Sequence, residues 1–322
     1  MMKQKLDINK MVPVISLVVI LVVFAVLTQG NMFSAFNLKT LVDQTVILLI
    51  MCSGAIFVIT LGCSDLSVGV VSAMCALVSD IVFQTTGNVF LMIVVAVAIG
   101  LGFGALNGVI NAKFKVPSFM ETLAILIGLR GIINFIQSKV GVSHAGTAVM
   151  MLQKQYVKLP ILIAILLVSW YLLERSSFGR NAKAIGENEI VAKYVGKSVD
   201  RTKILCFMLS GLTAAIAGFF IIARSGGTST TMGTMFEMRT LIAIYVGGVL
   251  VRGGATATTY KVIIGCFVVT IIENGLKIMG FGSSEVSELV EGILLMVILF
   301  ITIRAENYQK KTVKRVKAVR VK

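Results

Sequence analysis

The sequence predicts an all-α polytopic membrane protein of about ten transmembrane helices, with helices two to five and seven to ten as an inverted repeat. Three observations predict it. Ten stretches are apolar on the scale of the roughly 17 to 25 residues that cross a bilayer: about 11–28, 45–62, 66–84, 89–112, 119–137, 159–174, 203–223, 239–252, 260–279 and 288–303. Composition agrees, because 57% hydrophobic and 14% charged residues, with three prolines, leave too little polar surface for a soluble chain of 322 residues. Lysine and arginine, finally, fall almost entirely in every second gap between the stretches.

Taken in order, Lys3, Lys5 and Lys10 precede the first stretch, and Lys113 and Lys115 follow the fourth. A dense set (Arg175, Arg180, Lys183, Lys193, Lys197, Arg201, Lys203) follows the sixth. Arg252 and Lys261 follow the eighth, and the tail from Arg304 to Lys322 holds eight more. The opposite side receives only Lys39, Lys139, Lys154, Lys158, Arg224 and Arg239. Under the positive-inside rule both termini are cytoplasmic, in a bacterial cell membrane. The net charge of +15 therefore follows topology, and no nucleic-acid partner is expected. Residues 1–303 read as one transmembrane domain with a loop at about 175–203, and 304–322 as a basic cytoplasmic tail that stops the last helix beside membrane lipid. The first stretch exceeds a signal-peptide core and is expected to remain in the mature chain.

The segment from Glu174 to Lys203 divides the helices into two groups whose topologies are opposed, an arrangement that recurs in transporters. The eighth stretch carries the weakest signal. Gly62 to Gly69 ends one helix of the first group, and Gly247 to Gly254 interrupts the second, each a glycine-bounded break beside a charge. Gly100, Gly102, Gly104 and Gly108 in the fourth stretch read as helix-packing positions, and Gly253-Gly254 as a turn.

Charged groups inside a membrane domain are costly unless they face protein, water or a partner. Asp65 is placed to cap the third helix, its carboxylate accepting orphan N–H groups, or to meet a solute. Glu273 and Lys277, four apart, can pair with each other, whereas Arg130 has no obvious partner. In the loop, Asn188 to Tyr194 favours a short helix that Gly196 can end, suited to seating in a cleft of a soluble motor subunit. The five cysteines show no metal-like spacing and read as packing residues, and His144 is the sole histidine, so neither a metal site nor enzymatic chemistry is expected.

From about residue 40 to 303 the chain resembles the permease subunits of bacterial ATP-binding-cassette sugar importers, the ribose-type group, in the superfamily that also holds branched-chain amino-acid permeases. The residues that carry the resemblance are Asp65-Leu66-Ser67-Val68-Gly69, Asn107-Gly108, Lys115 to Phe119 with Thr122-Leu123, Arg130-Gly131, Phe178-Gly179-Arg180 and Gly186 to Gly196. Further on come Ser210-Gly211, Ala217-Gly218, Ala223-Arg224, Glu237, Gly247-Gly248 and Gly253-Gly254.

The resemblance implies that Gly186, Asn188, Glu189, Ala192 and Gly196 couple to an ATPase subunit, and that Asp65, Ser67, Asn107, Glu237 and Asn274 serve the pathway or its gate. It also implies ATP-binding-cassette ATPase subunits, a second permease copy and an extracytoplasmic sugar-binding protein as partners. The chain has no Gly-x-x-x-x-Gly-Lys-Ser/Thr loop, so ATP and Mg belong to the ATPase and no cofactor is expected here. Departures from the pattern are Cys63-Ser64 before the aspartate, Glu121 for a small residue, Val191 for alanine, Arg239 for aspartate and Thr256 for glycine. Branched-chain amino acids, nucleosides and autoinducer-2 remain alternative solutes, and an ion-coupled secondary transporter is the alternative mechanism.

Overall fold

The computed structural model describes residues 8–141 and 146–283, with scattered residues between 286 and 304. The tenth stretch, the basic tail, His144, Lys3 and Lys5 thus lie wholly or mostly outside the described residues. In chain order the helices are α1 (Ile8–Leu27), α2 (Ala35–Thr60), α3 (Val68–Thr86), α4 (Val89–Phe114), α5 (Ser118–Val140), the short α6 (Thr147–Met150) and α7 (Gln155–Trp170). After a π turn at Tyr171–Arg175 come α8 (Ser177–Glu187), α9 (Glu189–Tyr194), α10 (Val199–Ser225), α11 (Phe236–Val246) and α12 (Thr259–Ile278).

Local chemistry sets the boundaries. Ser34 caps α2 and Asn88 caps α4, whose Phe90 and Leu91 N–H groups donate to Asn88 Oδ1 at 2.9 and 3.2 Å. Gly87 and Gly226 end α3 and α10 in the left-handed conformation that glycine adopts without strain.

Among the described residues, six helices are long and apolar enough to cross a membrane: α2, α3, α4, α5, α7 with its π turn, and α10. Burial separates them. The most apolar window of α2 is 89% buried inside the protein, and that of α10 is 61% buried, whereas α4, α5 and α7 bury only 22%. Apolar surface on α4 and α5 such as Phe90, Phe119, Ile127 and Phe135 faces outward, as it must where the solvent is lipid. The protein is thus an all-α, multi-pass membrane protein with α2 and α10 at its centre.

The eighth stretch is corrected by the structure. Residues 239–252 do not form one span: α11 has 11 residues, roughly 16 Å at 1.5 Å per residue, about half of a ~30 Å hydrocarbon core. Gly247 and Gly248 end it because the chain there comes too close to α12 for side chains. A Cβ on Gly247 would lie 2.0 Å from the Lys261 carbonyl oxygen, and Gly248 has φ +88°. The second stretch is also extended, since α2 starts ten residues earlier than hydropathy suggests.

Close backbone approach organises the centre. A Cβ added to Gly100, Gly104 or Gly108 of α4 would fall 2.4 to 2.6 Å from the backbone of α10, and one on Gly211 would fall 2.0 Å from the Gly100 carbonyl oxygen. Gly102 is the exception to the packing expectation, because its missing side chain faces open space. The periphery is simpler: α1 lies on α12, and α7 lies on α2. The two glycine breaks meet. A Cβ on Gly62 would sit 2.9 Å from the Arg252 carbonyl oxygen, and one on Gly253 would sit 2.1 Å from that of Ile59.

Gly211→Ala should therefore force α4 and α10 apart and cost about 1–3 kcal/mol, the scale of overpacking. Gly102→Ala should be neutral or gain up to about 1 kcal/mol from helix propensity. Thermal unfolding of the detergent-solubilised protein, followed by labelling of the four buried cysteines, checks both.

Candidate functional site

Between α2 and α3 the chain leaves the helix inside the bundle, and side chains take over its hydrogen bonding. The Ser64 N–H donates to Ser118 Oγ at 3.0 Å, and the Leu66 N–H donates to Thr122 Oγ1 at 3.0 Å, both acceptors lying on the first turns of α5. Irregular backbone at membrane depth is tolerated only where protein or a water-lined cavity supplies such partners.

Asp65 is the centre of this segment. Its Oδ1 accepts from the Ser67 N–H at 2.9 Å and from Ser67 Oγ at 2.6 Å, and its Oδ2 accepts from Ser210 Oγ of α10 at 2.7 Å. Asn107 of α4 donates from Nδ2 to Ser67 Oγ at 2.9 Å. All four side chains are buried. The expected N-cap role is corrected here: Ser67 occupies the cap position of α3, and Asp65, two residues before it, forms an Asx-type turn. Ser210 stands eleven residues into α10, roughly 16 Å from its start, so the cluster sits deep inside the bundle.

The other two pathway candidates are placed differently. Glu237, buried in the first turn of α11, crosses toward the start of α3: a Cβ on Gly69 would lie 2.2 Å from its Oε2, and one on Gly233 would lie 2.3 Å from the Gly69 carbonyl oxygen. Asn274 is buried near the far end of α12, beside Glu273, away from the Asp65 cluster in sequence depth. Oxygens Asn107 Oδ1, Glu237 Oε2 and Asn274 Oδ1 have no hydrogen-bond partner among the described residues.

The loop segment forms two helices. Asn188 caps α9 by accepting the Val191 N–H at 3.0 Å. The Gly196 N–H returns to the Lys193 carbonyl and the Lys197 N–H to that of Ala192, both at 3.0 Å, a Schellman ending with Gly196 at φ +76°. Ala192 and Gly186 face inward: Ala192 is buried, and a Cβ on Gly186 would collide with the Thr60 carbonyl oxygen at 2.0 Å. The outward face of α9 is apolar, with Ile190 at 68% and Tyr194 at 87% exposure and Val191 and Val195 beside them. Next to it is a cleft of about 860 Å³, lined among others by Lys115, Glu189, Tyr194 and Asp200.

Polar ties hold this block to the bundle. Glu187 Oε1 accepts the Ala255 N–H at 2.9 Å, and Glu174 Oε1 accepts the Thr259 N–H at 2.8 Å, at the start of α12. Glu189 Oε2 meets Lys203 Nζ of α10 at 2.7 Å, its Oε1 lies 3.6 Å from Lys115 Nζ, and Lys115 reaches Asp200 at 3.4 Å. Burial by itself would raise the Glu189 carboxyl. The hydrogen bond and charge of Lys203, with Lys115 beside it, outweigh that and hold it below the usual carboxylate range.

At the opposite end, Asp43 of α2 pairs with Lys158 of α7 and accepts from Gln155 Nε2 at 3.2 Å. Arg239 Nε reaches Glu273 Oε1 at 3.2 Å, a pairing between α11 and α12. Arg130 donates to the carbonyls of Met232 and Thr230 at 2.8 and 3.2 Å, which answers the missing partner. Ser210, Ser118, Thr122 and Lys203 went unrecognised as site residues in sequence reading. The only local signal was Ser118 and Thr122 spaced one helical turn apart.

Residues 37–299 match the family of the permease component of the branched-chain amino acid transport system. The chain belongs to this permease family. Among its curated relatives, the ribose import permease protein of Escherichia coli K12 is 29% identical over 91% of this chain and 92% of its own length. The fructose import permease protein of Rhizobium meliloti is 32% identical, covering 84% and 78% respectively. The L-arabinose transport system permease protein of Escherichia coli K12 is 29% identical, covering 91% and 92%. No solved structure matches the chain.

In the permease, Asp65 accepts three buried donors, and each donor left without an acceptor costs about 1–3 kcal/mol. Asp65→Ala should therefore lower thermal stability more than Ser210→Ala, which removes one bond. The Glu189 carboxyl, held low by Lys203, stabilises the α9 contact above the ordinary carboxylate value, and the contact is lost as pH falls through the lowered one. A fluorophore at position 194 should report release of α9 only below the ordinary glutamate range, and Lys203→Met should move that release upward in pH.

Proposed function

We propose that this permease forms the translocation pathway of an ATP-driven importer for a monosaccharide of the ribose type. The observation that carries the motor half of the reading is α9: a capped helix whose apolar outward face is left uncovered by the described residues and whose inward face is tied to the bundle. Such a face fits the groove of a soluble ATPase subunit, and an apolar anchor ringed by charges is how small interfaces gain affinity. The sugar half rests on the relatives, which are named for ribose, fructose and arabinose.

In this reading the 174–203 segment lies on the cytoplasmic side, where the basic residues concentrate, and both termini share that side. Two ATPase subunits bind ATP and Mg, a second permease copy completes the pathway, and an extracytoplasmic binding protein delivers the sugar. Closure of the ATPase pair draws α9 inward. Because Glu187, Glu174 and Gly186 fix the block to the 253–259 turn and to the end of α2, the movement passes directly to α12 and α2, and through Lys203 to α10.

The Asp65 cluster then sits where α3, α4 and α10 converge, so a shift of α10 against α4 acts on the unwound segment first. Its carboxylate is fully engaged with protein donors and offers little to a solute. That suits a conduit, since a site that bound sugar tightly would not release it.

Reconstitution with a cognate ATPase subunit and sugar-binding protein, and assay of labelled ribose, fructose, xylose and arabinose, tests the reading. Uptake should require all three components and ATP. Tyr194→Asp or Ile190→Asp should weaken ATPase association by tenfold or more, about the 1.4 kcal/mol or greater lost when an apolar anchor is charged, while membrane insertion persists. Gly196→Val should loosen the helix ending and reduce uptake in the same assay. Sugar uptake that continued without the ATPase would refute the proposal.

A further inference from the structure

Between α9 and the Asp65 cluster lies a group that the pathway described so far does not use. Glu121, in the first turn of α5, is 5% exposed, and neither of its carboxyl oxygens has a hydrogen-bond partner among the described residues. Its neighbours Ser118 and Thr122 are both engaged with the unwound segment. Glu121 feels the charges of Asp65 and Lys203, and Cys63, at the entry to the unwound segment, feels those of Lys203, Glu121 and Glu189. Four elements thus converge on one spot: α9, the first turns of α5 and α10, and residues 62–67.

Only one cation in that group is buried. The Lys203 side chain is 7% exposed, and in this structure its ammonium is held by Glu189, whose own side chain is 42% exposed. A buried carboxyl with no partner gains more from an arriving cation than an exposed one does. Glu189 also keeps a second cation, Lys115 at 3.6 Å, should Lys203 leave. A lysine is suited to such an exchange because its compact ammonium rides on a flexible four-carbon stem, unlike the planar fork of arginine.

We propose that Lys203 is a positioning residue of the transport cycle that changes partner: Glu189 holds it in the state seen here, and Glu121 takes it in the nucleotide-closed state. The exchange releases α9 from the first turn of α10 and draws that turn toward α5 and the unwound segment. Movement of the loop helix is thereby converted into a pull on the residues around Asp65. The inference rests on the reading of α9 as the ATPase-docking helix.

The test is vanadate trapping of the assembled transporter in proteoliposomes, scored as the MgATP concentration that traps half of it. Glu121→Gln removes the partner of the closed state and should raise that concentration about tenfold, the scale of one charge-assisted hydrogen bond. Glu189→Gln removes the partner of the resting state and should lower it by a similar factor. In a Lys203→Met background both effects should vanish. Lys203→Arg, held by Glu189 in a fixed fork, should raise it.

A network with only a structural role would move both carboxylate variants in the same direction, and that result overturns the exchange, as does a change below twofold in both. If Glu121→Gln fails to assemble, Glu121→Asp, one methylene short of Lys203, must give the same sign or the proposal falls. A wild-type chain that binds no ATPase would instead sink the docking reading, and the exchange with it.

Discussion

Backbone amides and carbonyls inside an apolar slab must find partners within the protein, and in this permease that demand is sharpest at residues 62–67. The segment has left α2 and has not yet entered α3. Its hydrogen bonds come from side chains on α5 and from Asp65, which folds back on Ser67 and reaches across to Ser210. The arrangement binds four helices to a few atoms of irregular chain. Displacing any one of them leaves buried donors unmet, so the helices around this point move together or pay in unsatisfied polar groups.

The close contact between α4 and α10 supports the same point from outside. With glycine at the crossing, the two backbones approach to distances that no side chain permits, and this is what lets Asn107 and Ser210 reach Ser67 and Asp65 with short side chains. In lipid there is no hydrophobic gain from bringing two apolar helices together, so packing of this kind and the polar contacts it allows must supply the association. The second glycine cluster, where Gly62, Gly186, Gly253 and Gly254 meet, plays the corresponding part for the loop block. It brings the end of α2, the α8 helix and the turn before α12 within backbone contact of one another.

Charge is distributed by the same logic. Ion pairs gather at the two ends of the bundle, Glu189 with Lys203 at one and Asp43 with Lys158 and Arg239 with Glu273 at the other. Between them, the described buried interior carries hydroxyls and amides together with the carboxyls of Asp65, Asp80, Glu121 and Glu237.

Much of this was legible in the chain itself. The helical, membrane-spanning class follows from the length and spacing of apolar runs, and α9 with its Asn188 cap and Gly196 ending follows from local backbone chemistry, which is a property of a few adjacent residues. The interruption of the eighth stretch was not legible, because hydropathy averages over a window and cannot register that Gly247 lies against α12. Nor could the sequence pair Asp65 with Ser210, Arg239 with Glu273 or Glu189 with Lys203. Those contacts join residues that are far apart along the chain or in different helices, and only the packing of the helices brings them within the 3 Å or so that a hydrogen bond requires.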